Sequence, residues 1–171
     1  MSSSSSQTDA ADASSRVGEA ASAARNNDVD RLSALLDAGV DPDATDDRGY
    51  SLVMLAAYNG AVDTTRLLLE HGADPDAPDP SGSTPLVGVG FKGHTDVVET
   101  LLAHGASVDA ANESGTTALM TAVLFGQRQV VDRLLDAGAD PSLTDEKGLT
   151  AADIARRKGH VDLAERIEEA G

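Results

Sequence analysis

Glycine recurs along this chain at intervals of 33 residues, in three separate series: Gly49, Gly82, Gly115 and Gly148; Gly60, Gly93, Gly126 and Gly159; and Gly39, Gly72, Gly105, Gly138 and Gly171. A self-similar period in the range of about 20–50 residues marks a stacked array of small structural units rather than a single irregular domain. Between the glycines one local grammar repeats. A polar turn leads to a short apolar run of small residues, then a glycine, then a second apolar run ending in Leu-Leu, and then "HGAD", "HGAS" or "AGAD".

Each unit reads as helix, turn, helix, loop. The stretch "SLVMLAAYNG" offers about two helical turns and is stopped by Gly60, a residue suited to the left-handed conformation after a helix end. "AVDTTRLLLEHGAD" supplies a second helix, with Val62, Leu67 and Leu68 on one side and Gly72 ending it. Units this short cannot bury an apolar face alone, so neighbours must stack to make the core. Small residues at Ala56, Ala57, Ala122 and Ala155 let the helices approach closely.

These residues resemble the ankyrin-repeat family, and in particular its small stand-alone bacterial members. The fullest copy is "DPSGSTPLVGVGFKGHTDVVETLLAHGASVDA", Asp79 to Ala110, with weaker copies from Asp46, Asn112 and Asp145. The family's Thr-Pro-Leu triplet is complete at Thr84-Pro85-Leu86 and becomes Ser51-Leu52-Val53, Thr117-Ala118-Leu119 and Thr150-Ala151-Ala152 elsewhere. Where the family usually has a histidine next, this chain has Met54, Val87, Met120 and Asp153, which removes one inter-turn hydrogen bond that the resemblance implies. The implied fold is an all-α solenoid of about five helix-turn-helix repeats joined by turn or β-hairpin loops. The expected organisation is a disordered polar tail over residues 1–15, an N-terminal capping repeat over 16–45, repeats over 46–78, 79–111 and 112–144, and a C-terminal capping repeat over 145–171. Ala23, Leu32, Leu35 and Leu36 are the core candidates of the first cap. Arg156, Arg157, Lys158, Glu165, Glu168 and Glu169 give the last its polar outer face.

Composition narrows the function. The chain has 171 residues, a net charge of −16 and no cysteine. A polyanionic nucleic acid or an anionic membrane surface is repelled by such a chain within a Debye length, so the expected partner is a neutral or basic protein. No thiol is present for disulfides, thiolate nucleophiles or thiolate metal sites, which accords with a reducing cytoplasm. The first sixteen residues lack a basic region followed by an apolar run, so no signal peptide is read there. The self-repulsion of −16 is screened by salt, so stability is expected to rise with ionic strength.

The resemblance also implies where a partner sits: on the concave side, at the turn tips and the exposed side of each first helix. Carried over residue by residue, the contact positions include Arg48, Tyr50, Tyr58 and Asn59 in the second unit and Phe91 and Lys92 in the third. Leu124 and Phe125 follow in the fourth, and Lys147, Arg157 and Lys158 in the fifth. These positions hold every aromatic residue and every lysine of the chain. Aromatic anchors dominate interface energetics at low entropic cost, so Tyr58, Phe91 and Phe125 are expected to form a ridge. The competing reading is that bulky helix-end residues merely cover the next repeat.

Several features imitate chemistry. Gly88-Val89-Gly90-Phe91-Lys92-Gly93 spells G-x-G-x-x-G, which cradles a pyrophosphate only when it follows a strand and opens a helix. The register instead makes Gly93 the glycine closing a first helix and puts Gly88 and Gly90 inside it, at a cost of roughly 1 kcal/mol each relative to Ala. His71 and His104 share one repeat position and His94 and His160 another, so their roles are structural. The acidic loops "DPDATDD" and "DPDAPDP" lack the glycine and the bidentate Glu of a calcium-binding helical loop and read as solvated turns and helix N-caps. No residue set meets the requirements of a catalytic constellation. The expectation is therefore a non-catalytic, monomeric protein-binding module without cofactor or metal, acting as adaptor, scaffold or inhibitor. The alternatives are a stress-associated accessory of a partner enzyme and a nucleotide binder at Gly88–Gly93.

Overall fold

The starts of four helices in this chain are written as hydroxyls. Ser51, Thr84, Thr117 and Thr150 recur at the 33-residue interval. Each side-chain oxygen accepts the N–H three residues on, from Met54 at 3.1 Å, Val87 at 3.4 Å, Met120 at 3.3 Å and Asp153 at 3.2 Å. Such a cap satisfies one of the N–H groups that a helix leaves without an internal partner. The missing family histidine therefore leaves the helix start intact.

A computed structural model describes residues 4–171, with side chains from residue 12 onward. Among the described residues there are ten helices: α1 Ser4–Arg25, α2 Val29–Asp37, α3 Leu52–Tyr58, α4 Val62–Glu70, α5 Pro85–Lys92, α6 Thr95–Ala103, α7 Ala118–Leu124, α8 Arg128–Asp136, α9 Ala151–Arg157 and α10 Val161–Glu168. They form five consecutive pairs. The first helices α1, α3, α5, α7 and α9 pack in chain order as one row, and α2, α4, α6 and α8 as a second, with α10 against α9. The core lies between the rows, where Leu32, Leu52, Leu68, Leu86, Leu101, Leu119, Leu134 and Ile167 are fully buried. Ala23, Leu35 and Leu36, expected in the first cap's core, are buried with Leu32.

One expectation changes and another narrows. Of the segment read as a disordered tail, residues 1–3 lie outside the described residues, and from Ser4 the chain is already helix. Ala20, Ala21, Ala23 and Ala24 are buried against the stack; once that docked turn exists, extending it adds a hydrogen bond per residue without a new nucleus. Asp12 and Arg16, paired at 2.6 Å across one turn, add to it. The loops expected as turns or β-hairpins contain no strand among the described residues; their pairing reduces to the isolated antiparallel bridges Thr45–Ser51 and Ala111–Thr117. The intervening residues are spent on a side-chain-shaped turn, so no ladder can lengthen.

The helical glycines of α5 differ from each other. A Cβ on Gly90 would lie 2.8 Å from the carbonyl oxygen of Ala118 and 3.3 Å from the amide nitrogen of Ala122, so α7 backbone occupies the space a side chain needs. A Cβ on Gly88 meets only side chains, the Met54 sulfur at 3.3 Å and the Tyr58 ring at 3.5 Å. Gly93 ends α5 at φ 83°, in the left-handed region, where glycine carries no Cβ penalty.

Candidate binding face

The turn before each first helix from α3 onward is organised by one side chain. Asp46 Oδ1 accepts the N–H groups of Arg48 and Tyr50 at 3.1 and 3.0 Å. Asp79 does the same for Ser81 and Ser83 at 2.8 and 3.0 Å, Asn112 for Ser114 and Thr116 at 3.1 and 3.0 Å, and Asp145 for Lys147 and Leu149 at 2.9 Å each. An acceptor bonded to N–H groups two and four residues ahead fixes the turn and so fixes the tip residues. At Asp46 the second oxygen also accepts from the Arg25 guanidinium at 2.6 Å, and the Asp46 side chain is only 5% exposed. The turn before α3 is thereby tied to the end of α1.

The aromatic residues do form a ridge. The Tyr58 and Phe91 rings are stacked with centroids 6.0 Å apart, and Phe91 meets Phe125 edge to face at 4.3 Å. The Lys92 ammonium stands 4.7 Å from the Tyr58 centroid and 5.5 Å from that of Phe91, and Arg48 lies 4.9 Å over Tyr50. Tyr58, Phe91 and Phe125 are 38%, 36% and 47% exposed, whereas no aromatic belongs to the buried core among the described residues. Offset, T-shaped and cation–π contacts of this kind add to simple area burial. The rings support one another, and their outer surfaces remain open.

The residues expected at the contact positions divide between two depressions. Arg48, Tyr50, Tyr58, Asn59, Phe91 and Phe125 line a groove of about 620 Å³ together with Arg25, Met54, Asp79 and Asn112. Leu124, Lys147, Arg157 and Lys158 line a second, of about 440 Å³, together with Met120, Asp145, Leu149 and Ile154. Lys92 belongs to neither wall and instead covers two rings of the ridge. Sequence reasoning missed Arg25. Counting back 33 from Tyr58 lands on it, but the glycine that marks the position in other units is Asn27 in the first, so no glycine signals the register there.

The family model of ankyrin repeats in three copies matches residues 20–112, 72–145 and 89–169 in overlapping placements. The chain belongs to the ankyrin-repeat family. No curated protein matches it in sequence. Ankyrin repeats are generally protein–protein interaction modules and typically non-catalytic.

In this ankyrin-repeat chain the features that imitate chemistry have structural partners. The Nδ1 atoms of His71 and His104 lie 2.8 Å from the carbonyl oxygens of Leu67 and Thr100, closing the ends of α4 and α6. His94 stands at the start of α6 and makes no side-chain cap; its ring lies over Gly60. The acidic loop residues bond loop N–H groups rather than cap helices. Asp43, Asp76 and Asp109 reach across to the next repeat and accept from the N–H of Asp74, Ser107 and Asp140 at 2.7, 3.0 and 2.9 Å. These ankyrin loops are thus stitched to each other by carboxylates, and helix capping falls to hydroxyls at the first helices from α3 onward, to Asp28 at α2 and to Asn27 at α4. Among the described residues no group of three His, Asp or Glu is arranged to hold a metal ion. Gly88 and Gly90 lie within α5 rather than in a loop between a strand and a helix, and the Gly88 N–H is spent on the Thr84 carbonyl, so these glycines offer no phosphate cradle. No described helix is long and apolar enough to cross a membrane.

Proposed function

We propose that this ankyrin-repeat protein is a non-catalytic binding module that holds a partner protein on the face made by its first helices and turn tips, serving as adaptor, scaffold or inhibitor. The continuous ridge of Tyr58, Phe91 and Phe125 carries the reading. Three large rings in mutual contact, each more than one third exposed, stand outside a core that uses none. If they served only to cover the next repeat, each ring would be enclosed by its neighbour's backbone and aliphatic side chains. They are instead propped against each other beside an open groove. Exposed aromatic clusters next to a concavity are the usual seat of interface hot spots.

The test replaces Tyr58, Phe91 and Phe125 with Ala, singly and together, and recovers partners from native extract on immobilised full-length chain. Loss of the recovered partner with an unchanged far-ultraviolet spectrum supports the reading. Undiminished recovery on an intact fold overturns it.

A further inference from the structure

We infer that the segment docked on this face is acidic and apolar, a stretch of polypeptide in which carboxylates alternate with large apolar side chains. This rests on the protein-binding reading of the face and specifies the chemistry of its partner.

The charges are the argument. With 29 carboxylates against 13 lysines and arginines, acids are in more than twofold excess over cations in this chain. Seven of the thirteen lysines and arginines take one: Arg16, Arg25, Arg31, Arg128, Arg133, Arg156 and Arg166. Among the described residues the other six have no carboxylate within 4.0 Å, and five of them, Arg48, Lys92, Lys147, Arg157 and Lys158, stand on the candidate face. Arg66, on α4, is the exception.

The second groove is locally cationic against the sign of the whole molecule, and the first is lined by aromatic rings and close to neutral. In the second, Lys147, Arg157 and Lys158 face the one carboxylate Asp145, whereas in the first Arg25 is already paired with Asp46 and Arg48 stands opposite Asp79. Asp79 and Asp145 are already held by the N–H groups of their own turns. The tip acids Asp47, Glu113 and Glu146 line neither groove. Phe125 borders the first groove and its chain neighbour Leu124 the second, so a segment crossing both meets aromatic rings and then three cations. Charges beside apolar walls are less screened than charges in bulk water, so complementarity there selects the partner strongly. A basic segment would meet like charge in the second groove. The −16 of the whole molecule still disfavours a strongly acidic partner at long range, so the acidic stretch is local, on a protein that is neutral or basic overall.

Panning a displayed library of random linear peptides on the full chain tests this. The recovered peptides are expected to combine Asp or Glu with Leu, Ile, Phe or Met, and to lose roughly tenfold or more in affinity on Phe91→Ala. They are expected to lose as much on combined Lys147→Glu, Arg157→Glu and Lys158→Glu, and panning on that variant should select Lys and Arg instead. Should the reversal disturb the fold, Arg157→Gln with Lys158→Gln gives the same direction. Phe91-sensitive peptides that are neutral or basic would overturn the inference while leaving the protein-binding reading intact. Peptides indifferent to both sets of variants, or no peptides at all, would overturn both. Binding of single-stranded DNA at the same cations in place of peptides would also overturn the inference.

Discussion

Asn27 caps a helix of the next repeat: its Oδ1 accepts the N–H of Thr64 at 3.0 Å and that of Asp63 at 3.1 Å, both in the first turn of α4. The residue that precedes that helix, Ala61, has no side chain able to do so. Asn27 is also the one described non-glycine residue with a positive φ, 56°, at the position where later repeats use Gly60, Gly93, Gly126 and Gly159. Asparagine tolerates the left-handed region and brings an acceptor that glycine lacks. Asn27→Gly should therefore cost about 1 kcal/mol, the loss of a cap. Asn27→Ala should cost about 2–3 kcal/mol, because the left-handed strain of roughly 1–2 kcal/mol is added. Urea denaturation of the two variants measures the difference, and equal losses would remove the conformational half of the account.

The two helical glycines of α5 should respond in opposite directions to alanine. Gly88→Ala removes backbone freedom and asks only the flexible Met54 side chain to shift, so it should stabilise by up to about 1 kcal/mol. Gly90→Ala drives a methyl into the Ala118 carbonyl, and α5 and α7 must separate at a cost of about 1–3 kcal/mol. Thermal melts of both proteins decide it. A stabilising Gly90→Ala would mean that the rows can spread freely.

Acid should loosen the C-terminal repeat. Asp153 lies below the ordinary aspartate range because the Thr150 N–H and then its hydroxyl bond the carboxylate, and Asp162 is lowered chiefly by its hydrogen bond from Arg128. A depressed folded value means that this stability is fully present above the unfolded aspartate pKa of about 3.9 and is lost as pH falls through the folded values. Asp162 is exposed and Asp153 only half-buried, so the contribution is modest. Asp153→Asn should flatten the fall in stability below about pH 4. Carboxyl chemical shifts followed by NMR should show Asp153 and Asp162 among the last to protonate, and ordinary midpoints for both would contradict the assignment.

Salt should stabilise the fold. Screening weakens the seven described ion pairs, which are mostly exposed and each worth at most about 1 kcal/mol. It also relieves the repulsion of a net charge of −16 over the whole molecule. The second effect is the larger, so the melting temperature should rise between low and near-molar KCl. A fall would show that the local pairs dominate.

The repeat architecture was legible because a solenoid writes its geometry into the chain at a fixed interval. Gly60 and Gly93 mark helix ends, Ser51 and Thr84 mark helix starts, and Leu68 and Leu101 mark the buried face, each 33 residues from its counterpart. The aromatic positions were legible for the same reason. The acidic loops were read as solvated turns, yet their bonds to the next repeat join residues such as Asp43 and Asp74, whose pairing depends on how loops stack. Arg25 escaped notice because its repeat lacks the marker glycine.

What the amino-acid order determined by itself was therefore periodic and local: where helices begin and end, which residues face inward, and which positions carry rings. The tertiary structure decided what lies between repeats. Phe91 touches Phe125, one position out of register with Tyr58, and Arg25 takes Asp46 while Arg48, Lys147, Arg157 and Lys158 are left to open grooves. Short-range steric and hydrogen-bonding preferences fix the first set within a few residues. Ring contacts and ion pairing depend on distances across the stack, which exist only once the helices have packed.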